Sequence, residues 1–138
     1  MVKPTREDAQ LLLRLHELTT TDAMAKALNW FRFELDPKLA TSAAEFQKTY
    51  PPGSDGSKHY SSFLTFWEMA GVLVNNGLLH EGLFFDRFLV APYWEAFQPM
   101  IYEMRKEAKE PRLSENFELL YVKEKAWHAK HPPKKKEK

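Results

Sequence analysis

The stretch His59-Tyr60-Ser61-Ser62-Phe63-Leu64-Thr65-Phe66-Trp67-Glu68-Met69-Ala70-Gly71-Val72-Leu73-Val74-Asn75-Asn76-Gly77 decides the fold class. Its apolar residues Phe63, Phe66, Trp67, Ala70, Leu73 and Val74 recur at three- and four-residue intervals, which places them on one face of a helix from about His59 to Asn76. Asn76-Gly77 supplies a left-handed stop. Gly71 inside the run costs about 1 kcal/mol relative to alanine, so its presence predicts a close crossing by another helix.

Outward from this helix the same period continues. On the N-terminal side, Pro51-Pro52-Gly53-Ser54-Asp55-Gly56-Ser57 reads as a loop. Ser42 with Glu45 forms a capping box that opens a short helix carrying Phe46 and Tyr50. Before it, Met24, Ala27, Leu28, Phe31 and Leu35 line a helix from about Asp22 to Leu35, which Asp36-Pro37 ends. A first helix runs from about Arg6 to Leu18, opened by Thr5 and Asp8 and carrying Leu11, Leu12, Leu15 and Leu18. On the C-terminal side, a short helix is expected at about 81–89 and a longer one at about 92–109, with Pro92 in its first turn and Pro99 as a potential kink. Ser114 is expected to cap a last helix with Phe117, Leu120, Tyr121 and Trp127, ended by His131-Pro132-Pro133. The expectation is an all-α single domain over 1–130, a bundle of six or seven helices without a sheet. Residues 131–138 are read as a disordered basic tail.

Composition narrows the function classes. Ten Phe and four Trp among 138 residues can build a core without covalent staples. With no cysteine, disulfides, thiolate metal sites and cysteine nucleophiles are excluded, and a reducing, cytoplasmic setting is consistent. A net charge of +1 provides no field for nucleic acid beyond Lys134, Lys135, Lys136 and Lys138, so nucleic acid is not an expected partner. No run reaches the length of a membrane span, and the opening residues lack the apolar stretch of a signal peptide. Phosphate-binding glycine loops, nucleophile elbows and Ser-His-Asp patterns are missing.

The order of motifs is more specific than the period. Phe66 through Val74, then Asn76-Gly77-Leu78-Leu79, Leu83-Phe84-Phe85-Asp86, Trp94, Arg105 and Asn116-Phe117-Glu118-Leu119 together resemble a family of small uncharacterised bacterial helical proteins, the domain-of-unknown-function family numbered 4760. The likeness covers roughly residues 22–122. It implies an all-helical fold and a bacterial origin and carries no activity, catalytic residue or cofactor.

Three side-chain groups are candidates for function. Glu68, Asp86 and Arg105 each stand among apolar neighbours, which predicts an interior polar cluster, either an ion-paired latch between helices or an acid–base site. Phe63, Trp67, Phe84, Phe85, Phe88, Trp94 and Phe97 are dense enough to form plain core, a ligand pocket or a partner groove. Glu124, His128 and His131 fall at helical spacing, but without a second ligand-bearing helix no metal site is predicted, and no cofactor. The expected role is a non-enzymatic protein-interaction or regulatory module, with homodimerisation its most specific form. A small-molecule binder or enzyme centred on Glu68, Asp86 and Arg105 is the alternative.

Overall fold

A computed structural model describes residues 2–39 and 42–135. Among these described residues seven α-helices follow one another: α1 Arg6–Thr19, α2 Asp22–Phe33, α3 Ala43–Thr49, α4 Asp55–Asn75, α5 Glu81–Arg87, α6 Ala91–Glu107 and α7 Glu115–Lys130. Among the described residues there is no strand, and the chain is a single all-α domain. None of the described helices is long and apolar enough to cross a membrane.

The central helix is α4, which makes the most extensive contacts, with α2 on one side and α7 on the other. It starts at Asp55, four residues before the sequence reading placed it, because the Ser54 hydroxyl accepts from the Ser57 amide and caps it. Glycine in the first turn is no obstacle, since the Tyr50 ring fills the space where a Cβ on Gly56 would stand, 2.1 Å from Tyr50 Cδ1. Gly71 marks the predicted crossing, for a Cβ there would lie 2.4 Å from the backbone oxygen of Asn116 at the start of α7. Gly77, at φ +72°, ends the element in the left-handed conformation.

The capping box at Thr5 forms as read, with the Asp8 amide donating to the Thr5 hydroxyl and the Thr5 amide to the Asp8 carboxylate. Ser114 does not cap α7. It stands at the N-cap position with φ 58° and makes no side-chain cap bond. Pro92 lies in the first turn of α6, and α6 continues through Pro99 to Glu107.

One core runs through the molecule. Phe63, Phe84, Phe97, Phe117, Leu120, Trp94 and Ile101 are almost entirely excluded from solvent, and Leu15, Trp30 and Phe46 connect α1, α2 and α3 to it. Aromatic contacts link the layers. Trp94 meets Phe117 edge-on at 5.1 Å, and Phe31 meets Tyr93 and Phe97 at 4.8 and 5.6 Å.

Candidate functional site

The predicted polar cluster does not assemble. Glu68, half-buried on α4, accepts from the Asn116 and Phe117 amides, both at 3.0 Å, and from Asn116 Nδ2 at 2.9 Å. Its carboxylate thus serves the N–H groups that open α7 and have no partner within the helix, a place where negative charge is favoured. Arg105 instead donates to the Leu113 carbonyl at 2.8 Å and to Glu118 at 2.8 Å, bracing the α6–α7 turn. Asp86 is exposed and pairs with Lys134 at 2.7 Å. A seven-residue α5 has an outward side, and Asp86 falls on it between the inward rings Phe85 and Phe88. Each of the three has its own partners, and none touches another.

The same cross-helix use of carboxylates recurs. Glu124, 1% exposed, accepts from the Val90 amide at 2.6 Å and the Ala91 amide at 2.9 Å. It replaces the side-chain cap that Val90 cannot supply to α6. Burial pushes the Glu124 carboxyl above its ordinary range, and the two amides offset this only in part. Glu103 of α6 accepts from the Ala43 amide of α3 at 2.7 Å. Asp8 of α1 accepts from the His80 amide at 2.8 Å, just before α5. Glu124 is therefore unavailable to His128 and His131 as a metal ligand, and among the described residues no group of three metal-binding side chains comes together.

The seven aromatic candidates divide. Phe84, Phe85, Trp94 and Phe97 are packed core. Phe63, Trp67 and Phe88 also line a cleft of about 340 Å³ between α2, α4, the end of α5 and the start of α6. Its other walls are Thr19, Met24, Leu28, Phe66, Leu89, Pro92 and Tyr93, with Arg32 and Arg87. The rings are in mutual contact. Tyr93 stacks on Phe63 at 5.3 Å and leans on Trp67 at 5.3 Å, while Phe66 meets Trp67 edge-on at 5.0 Å and Phe88 at 5.9 Å. The buried indole nitrogen of Trp67 has no hydrogen-bond partner among the described residues. Among the described residues no carboxylate lines the cleft, so its local charge is that of the two guanidiniums.

A wider groove, of about 1230 Å³, lies between residues 2–4, the start of α5 and the end of α7. Its polar groups largely answer one another. His80 Nδ1 accepts from the Leu83 amide at 3.1 Å, and its Nε2 meets the Val2 carbonyl at 2.7 Å. His131 stacks on Trp127 at 4.3 Å and meets the Trp127 carbonyl at 2.8 Å. Glu81, Asp86, Lys130 and Lys134 mix both signs of charge around it. The residues read as a basic tail thus begin against α5 and α7, while Lys136 and Lys138 lie outside the described residues. Size favours the groove, but uniform charge and an aromatic floor make the cleft the better defined site.

Sequence reasoning missed Arg32, Arg87, Phe66 and Tyr93 as cleft residues. Arg32 lies four residues after Leu28, and that spacing was the available signal. Asn75 and Asn116, joined at 3.1 Å across the α4–α7 crossing, had none.

The family model "Domain of unknown function (DUF4760)" matches residues 4–124, and the chain belongs to that family. No curated protein and no solved structure matches it.

Proposed function

We propose that this member of the family is a non-enzymatic binding module that holds a small molecule in the cleft between α2, α4, α5 and α6. One observation carries the reading: a concave site of about 340 Å³, walled by five contacting aromatic rings and open at the rim beside the exposed Leu89. That volume falls within the range of small-molecule sites, which are concave and mostly apolar with few polar groups. The fate of the acidic side chains supports the non-catalytic part. Glu68, Glu103 and Glu124 are taken up by backbone amides of neighbouring helices, where they act as caps rather than as proton-transfer groups.

The test is a titration with N-phenyl-1-naphthylamine, a neutral apolar fluorophore. Saturable binding at one site per chain is expected, and Leu28→Trp, which fills the cleft from α2, is expected to abolish it. Absence of saturable binding, or equal binding by a folded Leu28→Trp variant, overturns the reading.

A second reading, self-association, is favoured by α7. Leu119 and Val122 are 45% and 54% exposed, on the side of the helix opposite Phe117, Leu120 and Glu124. An apolar stripe facing solvent is a feature of partner faces, and the simplest partner is a second copy. Sedimentation velocity is expected to give a mass above one chain, falling to a monomer with Leu119→Ser and Val122→Ser. A monomer at the highest soluble concentration of the unchanged protein removes this reading.

A further inference from the structure

We infer that the ligand of the cleft is a small amphipathic carboxylate, its apolar body on the aromatic floor and its acid group between Arg32 and Arg87. The inference rests on the reading of the cleft as a ligand site and adds the chemistry of the ligand. Two observations carry it.

The first is the charge at the rim. Arg32 and Arg87 line the cleft, both are exposed, and among the described residues no acidic side chain lines it with them. Arg32 makes no hydrogen bond or ion pair among the described residues. Arg87 donates to His16 Nδ1 at 3.2 Å and rests 4.8 Å above the Phe88 ring. Neither contact neutralises its charge, and the ring contact holds the guanidinium at the cleft edge. A planar guanidinium matches a carboxylate with two parallel hydrogen bonds, and such charge-assisted bonds are roughly twice as strong as neutral ones.

The second is the floor. Half-buried Tyr93 stacks over the enclosed Phe63, and Trp67 and Phe88 show only 4% and 6% of their surface, so a body entering beyond the arginines meets a largely apolar wall with no ionised group. A cation is repelled at the rim, and a neutral amphiphile gains only the floor. A highly charged anion such as a nucleotide triphosphate would have to desolvate charges that two arginines cannot match. A single acid group on an apolar body satisfies both parts.

Isothermal titration with decanoate, decanol and decylamine, each below its micellar concentration, tests this. Decanoate is expected to bind one per chain and about tenfold or more tighter than decanol, with decylamine weakest. Combined Arg32→Gln and Arg87→Gln, both exposed and outside the core, are expected to bring decanoate down to the level of decanol and leave decanol unchanged. Leu28→Trp is expected to abolish both. Equal binding of decanoate and decanol, or tight decanoate binding that survives loss of both arginines, overturns the carboxylate assignment and leaves the cleft reading standing. Failure of all three compounds to bind, or binding unaffected by Leu28→Trp, overturns both.

Discussion

At the scale of a single residue, Glu124 is the most consequential side chain in the molecule. It is 1% exposed and holds the amides of Val90, the N-cap residue of α6, and of Ala91, its first residue. A buried amide left without an acceptor costs about 1–3 kcal/mol. Glu124→Ala removes the acceptor for both, and a loss of about 3 kcal/mol in denaturant unfolding is expected. Because burial raises the Glu124 pKa in the folded state, the native protein binds this proton more readily than the unfolded chain. The contribution of its titration is therefore fully present below the unfolded carboxylate pKa and is lost as pH rises through the higher folded value. Unfolding free energies measured across that window are expected to show this downward slope with rising pH, and Glu124→Gln, which does not titrate, is expected to flatten it. Gly71 is the second sensitive position. Alanine gains about 1 kcal/mol of helix propensity there, yet its Cβ would stand 2.4 Å from the Asn116 oxygen. A net loss of about 2 kcal/mol in chemical denaturation is expected, as for overpacking in a closed interior.

At the scale of the helix, the local signals were legible and the distant ones were not. Thr5, Ser42 and Ser54 lie within three residues of the amides they cap, so a reading along the chain can pair them. The cap of α7 comes from Glu68, 48 residues away, and that of α6 from Glu124, 34 residues away. Nothing local distinguishes such a glutamate from a solvated one. The apolar neighbours of Glu68 predict an interior group with an arginine partner; the side chain is only half-buried, and that expectation overlooks that helix ends also neutralise carboxylates. Ser114 was misread for the converse reason: its sequence position suits a cap, but its backbone has turned left-handed and carries its hydroxyl away from that role. Thermal unfolding is expected to rank Glu68→Ala as the costlier change, by about 2 kcal/mol, over Ser114→Ala at under about 0.5 kcal/mol. Lys109, at φ 53°, is the complementary case. Lys109→Gly removes the Cβ penalty of the left-handed region and is expected to stabilise by about 0.5–1 kcal/mol.

At the scale of the whole molecule, the helical class followed from periodicity because one apolar stripe per helix turns toward one core, and a stripe has a period even when its contacts are unknown. The cleft was only half legible for the same reason: period places Phe63, Trp67 and Phe88 inward, but the space left between four helices depends on how they cross. The core also reaches its periphery unevenly. Leu15 is the one described residue of α1 that is fully buried, and Asp8 ties this helix to the start of α5 through the His80 amide. The Thr5 amide above all, followed among the lowering contacts by that of His80, holds the Asp8 carboxyl below its ordinary range. The stability this carboxylate contributes is therefore present above its unfolded pKa of about 3.9 and is lost as pH falls through the lower folded value. Glu124 responds with the opposite sign, since protonation relieves its burial. Acid is thus expected to loosen α1 while it eases the interior. Native-state hydrogen exchange, corrected for intrinsic rates, is expected to show protection in α1 falling relative to α4 as pH drops below about 4, against that same unfolded value. Asp8→Asn is expected to leave α1 poorly protected at every pH. Protection lost in parallel by α1 and α4, or an acid response of α1 undiminished in Asp8→Asn, would mean that the tie between the first helix and the fifth does not govern the edge of this fold.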